Sequence, residues 1–162
     1  MGKEPPDELT RPPDERDLVA LARELNRLGA RYIVIGGVAM NRLGFVRATE
    51  DLDLLIARDR ENQARVRQAL EILPDKAVSE LGKDEDLAAW VVVRINDVIT
   101  VDLMTEASGI GYAEAEPGIE WVELEGVKVP FASAGLMLRF KQGAREKDVL
   151  DRRFLEERRP KP

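Results

Sequence analysis

The sequence predicts an α/β (α+β) domain in which helices flank a mixed β-sheet and a helical segment follows the last strands. Helical and strand-like patterns alternate in the first half of the chain, which is typical of crossover connections between strands. Two later stretches have the pattern of β-hairpins, whose strands are antiparallel. Because crossovers and hairpins coexist, we expect a mixed sheet. A chain of 162 residues is long enough for one domain with a hydrophobic core.

The elements of the first half follow from apolar spacing and from residues that begin or end helices. Residues 1–13 hold four of the nine prolines among charged residues, so we expect a mobile segment there. Asp14 is expected to cap a helix that Gly29 ends. The elements predicted next are a strand at Tyr32–Ile35, a helix at Val38–Leu43, a strand at Leu52–Ile56, and a helix that Asp59 caps and that runs to Leu73 before Pro74.

The second half begins with two hairpins. The first is predicted to join Ala89–Ile95 to Val98–Leu103 through a two-residue turn at Asn96-Asp97. The second spans Trp121–Val129 around Glu125-Gly126, and Ser133 then opens the helical C-terminal segment. Trp90 and Trp121 are interpreted as core or sheet-face packing rather than as base-stacking platforms. We therefore expect a single domain over residues 14–157 and a basic tail over residues 158–162.

Composition excludes several kinds of chemistry. The chain has no cysteine and no histidine, which removes disulfides, the usual zinc ligands and the Ser-His or Cys-His nucleophilic pairs. Any metal must therefore bind to oxygen, a ligand set that suits Mg²⁺ or Mn²⁺. No stretch approaches the roughly 18 apolar residues of a membrane helix, and the N-terminus lacks a signal-peptide pattern. The expected location is cytoplasmic, with no membrane partner.

Charge is unevenly distributed along the chain. The net charge is −6, although the segment from Arg139 onward holds nine Lys and Arg against five Asp and Glu. This basic stretch is either a solvated helix face or a surface that meets phosphate. The overall negative charge argues against a large nucleic-acid footprint.

Chemistry-bearing residues follow the first two predicted strands. The first strand runs into Gly36-Gly37 at the start of a helix, and the second carries Asp51 and Asp53. Because side chains alternate along a strand, these two carboxylates point the same way, with backbones roughly 6–7 Å apart. Asp102 is a third carboxylate within an apolar strand, where its charge needs a cation or hydrogen-bond donors to offset desolvation.

This set of residues suits phosphoryl or nucleotidyl transfer. Such reactions need divalent metal, and polymerases use two ions about 3.5–4 Å apart that carboxylates bridge. The lack of side chains at Gly36 and Gly37 would let a triphosphate approach the backbone amides of the next helix. Arg47, just ahead of the carboxylates, is a further candidate phosphate contact.

The glycine pair, the Asp51-x-Asp53 motif and the later Asp102 resemble the motif of the polymerase-beta-type nucleotidyltransferase superfamily. Arg47-x-Thr49-x-Asp51-Leu52-Asp53, together with Lys141, Arg145 and the Lys147-Asp148-x-x-Asp151 segment, is similar to small bacterial members, including abortive-infection toxins of toxin–antitoxin pairs. Gly37 stands where many members have serine. The resemblance implies a nucleotidyltransferase-type mixed sheet flanked by helices.

The resemblance also implies roles for these residues. Asp51 and Asp53 would bind two Mg²⁺ or Mn²⁺ ions, and Asp102 would complete one site and help activate the acceptor hydroxyl. Gly36 and Gly37 would seat the nucleoside triphosphate (NTP), and Arg47 is the candidate phosphate contact named above. Lys141 and Arg145 would be phosphate or acceptor contacts. Alternatively, Arg145, Asp148 and Asp151, at helical i, i+3 and i+6 spacing, only pair with one another on a helix surface.

Two functions remain as hypotheses. The first is a metal-dependent nucleotidyltransferase that moves a nucleoside monophosphate from NTP to a hydroxyl on RNA such as tRNA, on a protein or on a small molecule, in the toxin case with a cognate antitoxin as partner. The second is a binding or regulatory module with this fold and little catalysis, which a partner chain or self-association completes. Three strand carboxylates favour the first hypothesis, whereas the small size of the chain favours the second.

Overall fold

The computed structural model describes residues 10–142 and 146–158. Its strands are β1 (Tyr32–Ile35), β2 (Asp51–Ile56), β3 (Val93–Asn96), β4 (Thr100–Met104), β5 (Glu106–Ala107), β6 (Ile110–Gly111), β7 (Ile119–Leu124) and β8 (Val127–Ala132). Its α-helices are α1 (Glu15–Arg27), α2 (Gly36–Arg42), α3 (Arg60–Leu70), α4 (Tyr112–Ala115), α5 (Ala134–Phe140) and α6 (Glu146–Arg158). The element order agrees with the predicted fold class.

Six strands form one mixed sheet in the order β3-β4-β2-β1-β8-β7, and β5 pairs with β6 in a separate small hairpin. Strand β1 is antiparallel to β2 and parallel to β8, and β2 is parallel to β4. Both predicted hairpins, β3-β4 and β7-β8, are present and form the two sides of the sheet. The mixed sheet is therefore confirmed, and its inner strands are β4, β2, β1 and β8.

Helices cover the inner strands. Asp14 caps α1 and forms a capping box with Asp17, as the sequence predicts for that position. Helix α1 packs against β8 and α3, whereas α2 packs against β1, β2 and α5. All four residues of β1 are buried, so the sheet is covered on both faces at its centre. Asp59 caps α3 and Ser133 caps α5, as expected.

The first hairpin differs from its prediction in two ways. Strand β3 begins at Val93 rather than at Ala89, because Asp86 caps a short 3₁₀ turn that ends at Ala89. Trp90, expected to be packed, is 56% exposed, and Trp121 is 59% exposed on β7. An apolar run does not reveal which of its residues are buried, and here only its later part enters the sheet.

The turn of this hairpin lies at residues 97–99 instead of at Asn96-Asp97, because Asn96 still pairs with Thr100. Asp97 is buried, and its carboxylate accepts hydrogen bonds from the backbone N–H groups of Asp75, Ala77 and Val98 at 2.7–3.0 Å. These three bonds satisfy the buried charge. Asp97 therefore anchors the turn to the loop after α3.

Part of the N-terminal segment contacts the domain. The Arg11 backbone N–H donates to the Val98 carbonyl at 3.0 Å, and its guanidinium pairs with Asp17 at 2.6 Å. Residues 1–9 of the segment expected to be mobile lie outside the described residues. The predicted basic tail overlaps α6 at Arg158, and its other residues are also outside them. In the part of the chain that the structure describes, no helix is long and apolar enough to cross a membrane.

Candidate functional site

Asp51, Asp53 and Asp102 form a carboxylate triad at one end of two inner strands. Asp51 and Asp53 lie on β2, and parallel pairing places Asp53 directly beside Asp102 on β4. One carboxylate oxygen from each residue lies within 4.8 Å of the others. The neighbouring positions of β4, β2 and β1 in the sheet bring the three aspartates close to the glycine pair, which follows the end of β1.

Burial and mutual repulsion make the carboxylate triad electrostatically costly. Asp102 is buried, whereas Asp51 and Asp53 are half-buried. Loss of solvent, followed by repulsion from Asp102, raises the pKa of Asp51 above its ordinary value. Positive charge close to the triad is therefore needed to stabilise its ionised form.

The donor set of the triad fits a hard divalent cation. It consists of carboxylate oxygens alone, with no histidine or cysteine in the chain, and such ligands suit Mg²⁺ or Mn²⁺. One oxygen from each residue lies near enough to the others for the three residues to hold one ion. The carboxylate triad is therefore a candidate metal site.

The glycine pair is required by the packing of the site itself. Gly36 has φ +69°, and a Cβ atom on it would lie 2.1 Å from Oδ2 of Asp53. A Cβ atom on Gly37 would lie 2.6 Å from the Thr49 methyl carbon. The side chains of Thr49, in the loop before β2, and of Asp53, on β2, thus fill the space that the glycines leave, which explains both glycines without a bound phosphate. A seat for the triphosphate at their amides stays a prediction.

A small cavity lies beside the carboxylates. Its volume is about 230 Å³, and Gly37, Thr49, Asp51, Asp53 and Arg47 are among its lining residues. A second cavity of about 470 Å³ shares Asp51 and also has Arg94 in its wall. Carboxylate residues therefore line both cavities, and each cavity also has an arginine in its wall.

Arg94 is a site residue that the sequence reasoning missed. Its Nε and Nη2 atoms donate to the two oxygens of Asp102 at 2.9 and 3.0 Å, and Nη2 also donates to Asp51 at 3.1 Å. The register of β3 and β4 places Arg94 directly opposite Asp102. The signal was present in the sequence, because a hairpin with the correct turn aligns these two residues.

Arg47 and Lys141 meet in a buried charge cluster, formed with Asp148 and Asp151. Asp151 is fully buried and accepts a hydrogen bond from Arg47 at 2.7 Å. The Lys141 ammonium lies 3.2 Å from Asp151 and 3.6 Å from Asp148. Asp148 and Asp151 thus pair with cations outside their own helix. Arg145, the partner that their spacing suggested, lies outside the described residues.

The buried charge cluster brings together two predicted site residues, Arg47 and Lys141, that are far apart in the sequence. Arg47 precedes the carboxylates and lines the smaller cavity, whereas Lys141 follows α5 and the two acids lie on α6. Lys141 is not among the described residues that line that cavity, and it pairs with Asp151, the acid that also binds Arg47. Direct contact of Lys141 with a phosphate therefore stays a prediction.

Solved structures resemble this chain over most of its length. A lincosamide antibiotic adenylyltransferase, LnuA, solved with lincomycin bound, aligns with a TM-score of 0.62 and 17% identity over 92% of this chain and 100% of its own. A candidate nucleotidyltransferase from Thermotoga maritima aligns with a TM-score of 0.58 and 18% identity, over 88% and 92% of the two chains. An antigenic nucleotidyltransferase-like protein from Paracoccidioides brasiliensis has a TM-score of 0.51 and 20% identity, over 85% and 73%.

These comparisons define the fold. No protein-family model and no curated protein matches the sequence. The chain nevertheless has the nucleotidyltransferase fold, as its resemblance to the polymerase-beta-type superfamily implies. Because a fold alone does not establish an activity, the function must be argued from the carboxylate triad and its surroundings.

The contact between Gly37 and Thr49 predicts a non-additive pair of substitutions. Gly37→Ala should destabilise the protein by about 1–3 kcal/mol, because the added methyl overlaps the Thr49 methyl. In a Thr49→Ser background, where that methyl is absent, the same change should be neutral or stabilising, since alanine favours a helix over glycine by about 1 kcal/mol. Urea unfolding of the two single variants and the double variant measures the coupling, and additive effects would contradict the contact.

The buried charge cluster predicts a large effect of Asp151→Asn. This change removes the carboxylate that the half-buried Arg47 and the buried Lys141 share, so we expect a loss of about 3–5 kcal/mol in unfolding free energy. Asp84→Asn, at an exposed position, is the matched control and should change stability by less than about 0.5 kcal/mol. Thermal and urea unfolding measure both variants. A loss no larger than that of the control would show that Arg47 and Lys141 do not depend on Asp151.

Proposed function

We propose that this chain is a metal-dependent nucleotidyltransferase that moves a nucleoside monophosphate from NTP to an acceptor hydroxyl. The observation that carries the proposal is the carboxylate triad, assembled from two neighbouring parallel strands within the nucleotidyltransferase fold. A chain without this chemistry has no need to hold three carboxylates within 4.8 Å of one another.

The residues would divide the work as follows. Asp51, Asp53 and Asp102 would hold Mg²⁺ or Mn²⁺, two ions in all, which neutralise the triphosphate and align the reacting groups. Arg47, which lines the cavity beside them, would contact a phosphate oxygen. The amides at Gly36 and Gly37 would contribute further donors to the triphosphate.

The transfer step forms one bond and breaks one. The acceptor oxygen bonds to the α-phosphorus, and the bond between that phosphorus and the oxygen bridging to the β-phosphate breaks. Pyrophosphate leaves with the bonding electrons. The hydroxyl proton passes to the Asp102 carboxylate and from there to solvent.

A small-molecule acceptor has the most support. This chain covers 100% of LnuA in the structural alignment, and LnuA, solved with lincomycin bound, is an antibiotic adenylyltransferase of about the same extent. A domain of this size therefore suffices for such an acceptor. RNA and protein acceptors, and the toxin role with a cognate antitoxin, stay predictions from the resemblance.

One observation favours the second function, a weakly catalytic module that a partner completes. Arg94 pairs with both Asp51 and Asp102, so part of the negative charge is balanced within the chain. A partner-completed module should form a stable complex and lack NTP affinity, whereas the enzyme should bind NTP with metal on its own.

If the chain is a metal-dependent nucleotidyltransferase, Asp53→Asn should abolish nucleotide binding and transfer. Calorimetric titration of the four NTPs, with and without Mg²⁺, should show metal-dependent binding by the wild-type chain that falls at least about 100-fold in Asp53→Asn, because a metal ligand is lost. Asp84→Asn should bind as the wild type does. Labelled NTP then reports transfer to candidate acceptors.

Circular dichroism and thermal unfolding of Asp53→Asn control for loss of the fold. Unchanged transfer by a folded Asp53→Asn protein would overturn the enzyme assignment. Failure of the folded wild-type chain to bind any NTP would instead favour the partner-completed module.

A further inference from the structure

Arg94 places its positive charge beside the carboxylate triad, whose ionised form needs a nearby cation. Three of its hydrogen bonds go to the triad, at 2.9, 3.0 and 3.1 Å, and they use both oxygens of Asp102 and one of Asp51. A guanidinium that binds a carboxylate through two N–H groups is a strong and directional partner. A metal ion and Arg94 therefore compete for the same oxygens.

The sheet fixes the backbone of Arg94, whereas its head group lies at the surface. Its backbone lies opposite Asp102 in the β3-β4 ladder. Its side chain is 54% exposed, whereas that of Asp102 is 8% exposed. The arginine head group can therefore move into solvent or onto a ligand without leaving an unpaired buried cation, although the carboxylate cannot move in the same way.

We infer that Arg94 is a resident counter-ion of the carboxylate triad, which holds Asp102 and Asp51 until a metal-bound triphosphate displaces it onto its own phosphate oxygens. This inference rests on the proposed function of the triad as a metal site. Arg94 also lines the cavity of about 470 Å³ next to Asp51, so space for an anionic group lies beside the guanidinium.

Two consequences follow from the competition. Free metal should bind weakly, because the guanidinium repels it and occupies its ligands. Metal and nucleotide should strengthen each other's binding, because the triphosphate offers Arg94 a second anionic partner. This coupling is reciprocal.

The test measures Mn²⁺ binding without nucleotide, and electron paramagnetic resonance of the free ion is the readout. Arg94→Gln should bind Mn²⁺ on the order of tenfold more tightly than the wild type, since the competing charge is removed. Arg94→Lys, which keeps the charge and loses the paired donors, should lie between them. Arg65→Gln, which breaks an ion pair within α3, should have wild-type affinity.

A second measurement addresses the nucleotide. At saturating Mn²⁺, Arg94→Gln should bind a non-hydrolysable NTP on the order of tenfold more weakly than the wild type, because the phosphate loses a bidentate partner. An Arg94→Gln protein that is folded and binds Mn²⁺ no more tightly than the wild type would overturn the inference.

The outcomes separate this inference from the proposed function. If the wild type and Arg94→Gln bind Mn²⁺ equally well and Asp53→Asn abolishes this binding, the counter-ion role alone would be overturned. Absence of Mn²⁺ binding from the wild type and from Arg94→Gln, both without nucleotide and with the non-hydrolysable NTP present, would overturn the metal-dependent function together with it.

Discussion

Three carboxylates held within 4.8 Å of one another impose the main constraint on this structure. Strand pairing fixes their backbones, so the repulsion between them is offset by nearby positive charge rather than by separation. Arg94 supplies that charge from the neighbouring strand. Gly36 serves the same arrangement from the other side, because any side chain there would collide with Asp53. The glycine accommodates the carboxylates sterically and the arginine balances their charge, so both positions follow from placing three carboxylates together.

The loop before the carboxylates depends on the end of the chain. Arg47 is held by Asp151, which lies on α6, more than a hundred residues away in sequence. Lys141 shares the same acid and lies next to Asp148. A buried ion pair gives little net stability but strongly disfavours arrangements that break it. The buried charge cluster therefore links α6 and the residue that follows α5 to the loop before β2, whose Arg47 lines the candidate site.

Sequence patterns were sufficient for the features that depend on neighbouring residues. The spacing of Leu18, Leu21 and Leu25 predicts α1, and alternation on β2 correctly places Asp51 and Asp53 together. Features set by distant contacts could not be predicted in the same way. The turn at Asp97 is displaced because its carboxylate binds the loop after α3, and residue spacing suggested a helix-surface role for Asp151 although it is fully buried against Arg47. Arg94 was missed because its partner is identified only once the hairpin register is known.

Under the proposed function, the distribution of charge would favour a metal–nucleotide complex over either component alone. Carboxylates at the centre attract metal and repel phosphate, whereas Arg47 on one side and Arg94 on the other attract phosphate and repel metal. A free metal ion meets a guanidinium already bound to its ligands, and a free triphosphate meets three carboxylates. A chelated triphosphate presents both signs of charge and satisfies both sets of residues at once. If the chain is a nucleotidyltransferase, the alternation of acid and base around Asp51 would select the metal-bound form in which NTP enters the reaction.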